Sequence, residues 1–379
     1  MRFFRPAVLL VVMTASVLTG CSPRPIGVGF QGPLTGTAAD LGVQGRNGAL
    51  LAVETLNAGG GVRGRALQLV PRDDRNERAV ALELVQEFRD EKIEVVVGPM
   101  TSVAGVAVAE RVSQAGPLYL SPTVSTAEVS DKNDFFFRIQ GASDRPALVF
   151  GRFAATELGA ERAAVLADRD NAEYSATYLE AFSRGVLSAG SEVVYTETMS
   201  FAEMNRWNRI VRTISDVDPD TVLVVASASD TARFAQAVLA EGRTWQLLGS
   251  GWAATEILPK LGGVAVEDML FARMSYRPLT ATESGAEFRE RFMRRFGREP
   301  SFAASQAYDA VRLVANALQS VRPAADALRQ ELSGLEAVDT LLGPVTFNAF
   351  GDIDPSATIV RVHQGAYVPV TDYGEGVQP

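Results

Sequence analysis

The sequence predicts an α/β fold of two doubly wound lobes, each a mainly parallel sheet covered by helices on both faces. From residue 26 onward, short apolar runs alternate with stretches of helical periodicity, which is typical of right-handed strand–helix–strand crossovers. The chain beyond residue 25 has about 350 residues, more than a single domain usually contains. The alternation also starts afresh near residue 163, which favours a second lobe.

The first block of alternation extends to residue 122. Its continuous apolar run at 93–98 is typical of a strand buried on both faces, and apolar side chains three and four residues apart predict helices between the strands. The predicted strands are 26–30, 66–70, 93–98 and 118–122, and the predicted helices are 49–57, 76–91 and 102–114.

The second block repeats the pattern, and two apolar stretches, 135–139 and 268–274, lie where one block gives way to the next, so we expect crossover strands there. Residues 358–370 alternate like a hairpin, which predicts a solvent-facing strand position for His363. The predicted strands are 163–168, 192–199, 221–227 and 245–251, and the predicted helices are 175–188, 207–217 and 230–242.

The N-terminal segment predicts export and a lipid anchor. Arg2 and Arg5 precede an apolar run at 7–18, a charged region and core of signal-peptide length that is too short to span a membrane. Cys21, the only cysteine, follows Leu-Thr-Gly, which resembles the lipobox of bacterial lipoproteins. We therefore expect a signal peptide at 1–20, lipidation of Cys21 and a tether at 21–25, with the protein held at the cell envelope.

Composition argues against several classes of function. The net charge of -9 disfavours nucleic-acid binding, which needs a basic face. One histidine and one cysteine leave few routes to zinc, nucleophilic or general-base chemistry. We therefore expect a binding protein and not an enzyme, with neither a metal nor a cofactor.

Two motifs invite readings that their context disfavours. Gly27, Gly29 and Gly32 match a dinucleotide fingerprint, but Pro33 follows at once and the next helix begins only near Asp40, so the third glycine does not open a helix. Asp73 and Asp74 are adjacent acids after a strand and could be taken for metal ligands or an acid pair. In a loop at this position, solvation or capping of the next helix is the usual role.

Hydroxyl side chains follow two successive predicted strands, at 98–102 and 121–126. Ligands of open α/β sheets bind outside the carboxyl ends of the strands, and hydroxyls and helix N-termini offer donors to an anion. Ser102 is in a plausible N-cap position. A capping role and a ligand-binding role both fit these loops.

Several stretches, in this order and spacing, resemble the type I periplasmic binding proteins of branched-chain amino-acid transporters. The resemblance covers essentially the whole chain after the predicted signal peptide. The stretches are 29–42, 56–75, 95–102, 119–129, 307–318 and 341–352.

The resemblance implies two lobes joined by three crossovers, which close on a small solute and present it to the membrane permease of an ATP-driven (ABC) transporter. It places lobe 1 at 26–142 and 275–352, and lobe 2 at 143–274 and 353–372. The residues matched to ligand contacts are Thr101 and Ser102 on the ligand carboxylate, Thr123, Val124 and Ser125 on the ligand backbone, Leu41 against its side chain, and Tyr174 closing from lobe 2.

The sequence departs from this family at the ammonium site. Relatives that bind amino acids often present an acid after the strand that ends at Leu248, whereas this chain has Gly251, with Trp252 next. Trp252 could contribute a cation–π contact, and Asp230 a displaced carboxylate. We expect the ligand to be a small carboxylate or amide-like compound, aromatic ones included, rather than leucine, isoleucine or valine.

A second function fits the same fold. An envelope lipoprotein of this architecture can regulate a protein partner such as a peptidoglycan synthase. Ser22 after the lipidated cysteine is compatible with outer-membrane sorting, which slightly favours this alternative.

Overall fold

The structure is a computed structural model, and it describes residues 23–201, 207–274, 279–335, 338–341, 343–353 and 357–373. The predicted signal peptide and Cys21 lie outside these residues.

Lobe 1 is built on a five-stranded parallel sheet of order β2-β1-β3-β4-β5. The middle strand is entirely buried, as its continuous Val-Val-Val sequence predicts. The first strands are β1 (Ile26–Gly32), β2 (Leu67–Asp73), β3 (Val95–Val97), β4 (Leu118–Ser121) and β5 (Phe136–Arg138), and the first helices are α1 (Ala39–Ala58), α2 (Arg78–Asp90) and α3 (Ser102–Arg111).

Lobe 2 repeats the alternation on a second sheet. Its two faces are covered separately, one by α4 and α5 and the other by α6 and α7, each with its own apolar core. The elements are β6 (Arg162–Asp168), β7 (Glu192–Met199), β8 (Thr221–Val225), β9 (Gln246–Gly249), β10 (Leu270–Met274), α4 (Asp144–Thr156), α5 (Ala172–Ser188), α6 (Trp207–Ser215), α7 (Ala228–Ala240) and α8 (Leu258–Gly262).

The chain then returns to lobe 1. Helix α10 packs along α1, and its apolar side chains join the core of the first sheet. A small antiparallel ribbon follows. These elements are α9 (Glu283–Phe296), α10 (Phe302–Ser320), α11 (Ala325–Ser333), β11 (Val338–Thr340) and β12 (Gly343–Val345).

A final hairpin, β13 (Ala357–His363) and β14 (Ala366–Tyr373), completes the second sheet. Strand β13 runs antiparallel to β10 and to β14, giving the order β14-β13-β10-β9-β8-β6-β7. The chain therefore passes between the lobes after β5, after β10 and before β13. The predicted fold class of two doubly wound lobes with three crossovers is confirmed.

The glycine motif is part of a strand. Gly27, Gly29 and Gly32 all lie within β1, and a Cβ on Gly29 would be 2.9 Å from the side chains of Phe88 and Val96. The absence of side chains at these positions lets neighbouring side chains pack directly against the backbone of β1. No helix begins at the third glycine, as a dinucleotide site requires.

The predicted strand at 245–251 is shorter than expected. It ends at Gly249, because the chain turns there: Ala253 N donates to Ser250 O at 3.0 Å and Ala254 N to Gly251 O at 3.2 Å. Gly251 and Trp252 consequently lie in a turn at the carboxyl end of the sheet.

Candidate functional site

A cavity lies between the lobes, at the carboxyl ends of the strands of both sheets. Its walls combine the loops after β3 and β4 of lobe 1 with the start of α5 and the turn after β9 of lobe 2. The lining residues are Leu41, Met100, Ser102, Thr123, Ser125, Gln140, Ser143, Pro146, Asn171, Tyr174, Tyr178, Gly251, Trp252, Ala272, Arg273, Met274, Phe302 and Gln306.

The structure brings seven of the ten predicted ligand-binding residues to this cavity and places three outside its lining. Thr101, Val124 and Asp230 are the three outside. The seven in the lining are Leu41, Ser102, Thr123, Ser125, Tyr174, Gly251 and Trp252.

Hydrogen bonds fix the lobe 1 wall. Ser125 N donates to Ser102 Oγ at 3.4 Å, Thr123 Oγ1 donates to Met100 O at 2.5 Å, and Ser143 Oγ donates to Ser125 O at 2.9 Å. The two hydroxyl loops and the start of α4 are therefore held against one another. Ser102, buried at the first position of α3, presents its hydroxyl beside a helix N-terminus, an arrangement that favours an anion.

Of the three residues outside the lining, Thr101 has a buried hydroxyl without a hydrogen-bond partner among the described residues, whereas Val124 and Asp230 make contacts elsewhere. Val124 is fully buried beneath α3, where its side chain would be 2.7 Å from a Cβ on Gly105. The Asp230 carboxylate accepts from Ser227 Oγ at 2.6 Å and pairs with Arg233 at 3.3 Å. It is thus engaged at the start of α7, away from the lining, and the suggestion that it meets a ligand ammonium finds no geometric support.

The lobe 2 wall is aromatic. The Tyr174 ring lies edge-on to Trp252 with ring centroids 5.8 Å apart, and 5.7 Å from the Tyr178 ring. Trp252 N donates to the Tyr174 hydroxyl at 3.3 Å. Burial raises the pKa of Tyr174 to about 12, so its hydroxyl stays protonated and keeps one proton to donate.

Sequence reasoning missed polar residues that also line the cavity. Gln306 Oε1 and the Tyr178 hydroxyl are buried without a hydrogen-bond partner among the described residues, and such atoms are usually satisfied. Asn171 and Tyr178 lie within four residues of Tyr174, and Gln306 immediately precedes the stretch at 307–318, so closeness to a predicted site residue or to a family stretch was the available signal. Arg273, at the end of β10, carried none.

The electrostatic character of the cavity is one-sided. Among the described residues, its lining contains one charged side chain, Arg273, and no carboxylate. The volume is about 50 Å³, which suits a small solute. A small anionic or neutral solute fits this environment, whereas an ammonium group has no counter-charge in it.

Contacts between the lobes close the cavity. Val103 N donates to Asn171 Oδ1 at 3.3 Å, at the cavity itself. Three further side-chain contacts lie around it: Asn76 Nδ2 donates to Asp170 O at 2.9 Å, Arg78 pairs with Glu173 at 2.5 Å, and the hydroxyls of Thr126 and Thr177 are 3.1 Å apart. The structure is therefore the closed form of the two lobes.

Potential metal ligands lie elsewhere. Within the described part of the chain, Glu267, Asp268 and His363 form the one group of three whose ligand atoms come within 4.8 Å of one another. All three are exposed on the surface of lobe 2. Exposed acidic groups of this kind are common on protein surfaces and do not by themselves indicate a metal site. No described helix combines the length and apolarity needed to cross a membrane.

Comparison with known proteins agrees with this architecture. A sequence model of the family described as "Periplasmic binding protein" matches residues 25–366. An "Amino acid binding protein" of Pseudomonas aeruginosa is 24% identical over 363 residues, which cover 95% of this chain and 96% of that protein.

Two solved structures have similar folds. The branched-chain amino acid transporter substrate binding protein LivJ of Streptococcus pneumoniae, in complex with isoleucine, has a TM-score of 0.82 at 21% identity, covering 90% of this chain and 97% of its own. A solute binding protein of an ABC transporter from Rhodopseudomonas palustris, in complex with 3,4-dihydroxy benzoic acid, has a TM-score of 0.82 at 21% identity, covering 92% and 97%.

Proposed function

The chain belongs to the periplasmic binding protein family, a family of binding proteins and not of enzymes, and on that basis we propose that it captures a small carboxylate between its lobes for an ABC uptake permease. In this proposal lobe 1 comprises residues 26–142 and 275–352, lobe 2 comprises 143–274 and 353–372, and the solute is held between them. The carboxylate lies at Ser102 and Ser125, and the apolar body of the solute packs against the aromatic wall.

One observation supports this ligand class most: the described lining has a guanidinium and no carboxylate. Burying an unpaired ammonium costs several kcal/mol, whereas an anion gains from Arg273, from the α3 N-terminus and from the Ser102 hydroxyl. Similar proteins bind both kinds of solute, isoleucine in one case and 3,4-dihydroxy benzoic acid in the other. The charge of this lining favours the second kind.

Isothermal titration calorimetry on protein stripped of bound solute tests the ligand class. We expect benzoate, 3,4-dihydroxybenzoate or a short aliphatic carboxylate to bind in the micromolar range, about -8 kcal/mol, and leucine, isoleucine and valine to bind at least a hundredfold more weakly. Micromolar or tighter binding of a branched-chain amino acid would contradict the proposal. Binding of no small solute at all would favour the envelope regulator with a protein partner.

We further propose that Cys21 carries a lipid that anchors the protein to the cell envelope. Buried acyl chains contribute about 0.8 kcal/mol per methylene, so two or more chains hold a protein at a membrane. Cys21→Ser should release the protein from the membrane fraction or leave it unprocessed. Ser22→Ala is the matched control and should leave processing intact; unchanged membrane association of Cys21→Ser would contradict the anchor.

A further inference from the structure

A second, larger chamber adjoins the ligand cavity. Its volume is about 560 Å³, against about 50 Å³ for the cavity, and the two share Arg273 and Phe302 as a common wall. Both lobes contribute to it: lobe 2 supplies the segment before α8 and the β13–β14 turn, and lobe 1 supplies α9 and the start of α10. The chamber and the cavity are therefore adjacent, with these two side chains between them.

Two buried polar atoms of this chamber have no hydrogen-bond partner among the described residues. They are Glu256 Oε2 and Ser301 Oγ. Ser301 is 3% exposed and lies at the N-cap position of α10, yet its side chain makes no capping bond. Because buried acceptors are almost always satisfied, these two atoms indicate a hydrogen-bond donor that the described residues do not supply.

The carboxyl group of Glu256 titrates near neutral pH. Burial is the largest influence and raises its pKa to about 7, with Glu299 and Asp40 adding to the rise and Arg273 opposing it. Of the other cations, Arg289 is held by both carboxylate oxygens of Glu299, and Lys260 is exposed at the edge. A positive group placed against Glu256 would stabilise its ionised form.

We propose that this chamber binds an amino group carried at the far end of the solute, accepted by Glu256 Oε2 and Ser301 Oγ. The ligand class is then a carboxylate whose amino group is remote from the carboxylate, an ω-amino acid or a larger compound of that type. The assignment rests on the proposed capture of carboxylates. In this assignment Glu256 supplies the counter-charge for the ammonium group that Gly251 does not provide, at a point several carbon atoms away from the ligand carboxylate.

A matched length series tests the assignment by calorimetry on the stripped protein. The probes are 4-aminobutanoate to 8-aminooctanoate, each paired with the carboxylate of equal length that lacks the amino group. At the length that reaches the chamber we expect the amino compound to bind about tenfold or more tightly than its partner, the usual effect of a hydrogen bond to a charged group. Glu256→Gln should abolish this advantage and leave the plain carboxylates unchanged.

Two further variants make the result specific. Ser301→Ala removes a hydroxyl without a described partner, so it should preserve the fold and reduce the advantage. Glu267→Gln changes a surface acid of the same lobe and should alter nothing. At pH 7, binding of the amino compound to the wild type should also release a fraction of a proton, because the cation lowers the pKa of Glu256; Glu256→Gln should not release it.

The outcomes separate this assignment from the proposed function. If plain carboxylates bind and the amino group gives no advantage at any length, or if the advantage survives in Glu256→Gln, the chamber assignment is wrong and carboxylate capture stands. If neither series binds, the proposed function fails together with the assignment.

Discussion

Thr101 and Ser102 are neighbours with buried hydroxyls, but their surroundings differ. Ser102 lines the cavity, whereas Thr101 does not, and the Thr101 hydroxyl has no partner among the described residues. A hydrogen bond to a charged group is worth about 1.5–3 kcal/mol, so Ser102→Ala should weaken carboxylate binding roughly ten- to a hundredfold. Calorimetry with the best-binding carboxylate measures this change.

Thr101→Val is the matched control for that substitution. It keeps the shape of the side chain and removes a hydroxyl that bonds to nothing described, so ligand affinity should stay within about twofold of the wild type and stability should not fall. Equal losses in the two variants would mean that the loop, and not the Ser102 hydroxyl, determines affinity.

Residue identities could be predicted only where a local pattern points to them. The strand-end hydroxyls were accessible because sheet edges collect ligand contacts. Arg273 and Phe302 were not, because nothing in their own neighbourhood signals a ligand; Arg273 lies near the end of β10 and Phe302 at the start of α10, and only the folded chain brings both to the cavity. The buried oxygens of Glu256 and Ser301 that lack a described hydrogen-bond partner likewise could not be predicted, because tertiary packing determines which atoms are buried and which are paired.

At the scale of elements, α1 shows the limit of apolar periodicity as a signal. The periodicity covers only 49–57, although the sequence places the helix start near Asp40, and the structure has Ala39–Ala58. The half without periodicity contains Gly42, Gly45 and Gly48, and glycine is among the weakest helix formers. Tertiary packing needs these glycines: a Cβ on Gly48 would be 1.9 Å from Ala304 O of α10. The feature that obscured the helix is therefore the one that lets α1 and α10 approach.

Gly48→Ala should lower the free energy of unfolding by about 1–3 kcal/mol, the usual effect of overpacking, despite the better helix propensity of alanine. Urea denaturation measures it. Gly59→Ala, at the end of the same helix, is the control: its Cβ would come no closer than 3.4 Å to Leu56 O at a φ of -84°, so stability should be unchanged or slightly raised. Similar losses in both variants would rule out the close approach as the cause.

At the scale of the whole molecule, buried acids make stability depend on pH. Their pKa values in the unfolded chain are about 4, so between roughly pH 4 and 7 the folded state binds more protons, and the free energy of unfolding falls as pH rises through this window. Burial raises the pKa of Asp74, Asp134 and Asp168 to about 6, and of Glu256 and Asp309 to about 7.

We therefore expect a higher melting temperature at pH 5 than at pH 8. Scanning calorimetry in buffers of matched ionic strength tests this. Asp309→Asn removes one of the five groups and should flatten the profile, whereas Glu267→Gln, which changes an exposed acid, should leave its slope unchanged. A melting temperature that rises from pH 5 to pH 8 would show that other groups dominate.

Closure couples the lobes to the ligand, because each lobe supplies part of the lining and only the closed form uses both. Any contact made only on closure raises the fraction of closed molecules and so the apparent affinity. Arg78 and Glu173 form such a contact, with 45% of the Arg78 side chain and 14% of the Glu173 side chain exposed, and neither lines the cavity.

Arg78→Gln should therefore weaken binding of the same carboxylate about two- to fivefold, the effect of a partly exposed ion pair, without touching a ligand contact. Arg212→Gln removes an ion pair with Glu241 inside lobe 2 and should leave affinity unchanged. Small-angle scattering should show the radius of gyration of the wild type falling when ligand is added, and Arg78→Gln needing more ligand for the same contraction. If ligand saturates the wild type without any contraction, the lobes do not close on it, and a rigid scaffold for a protein partner becomes the better account of this molecule.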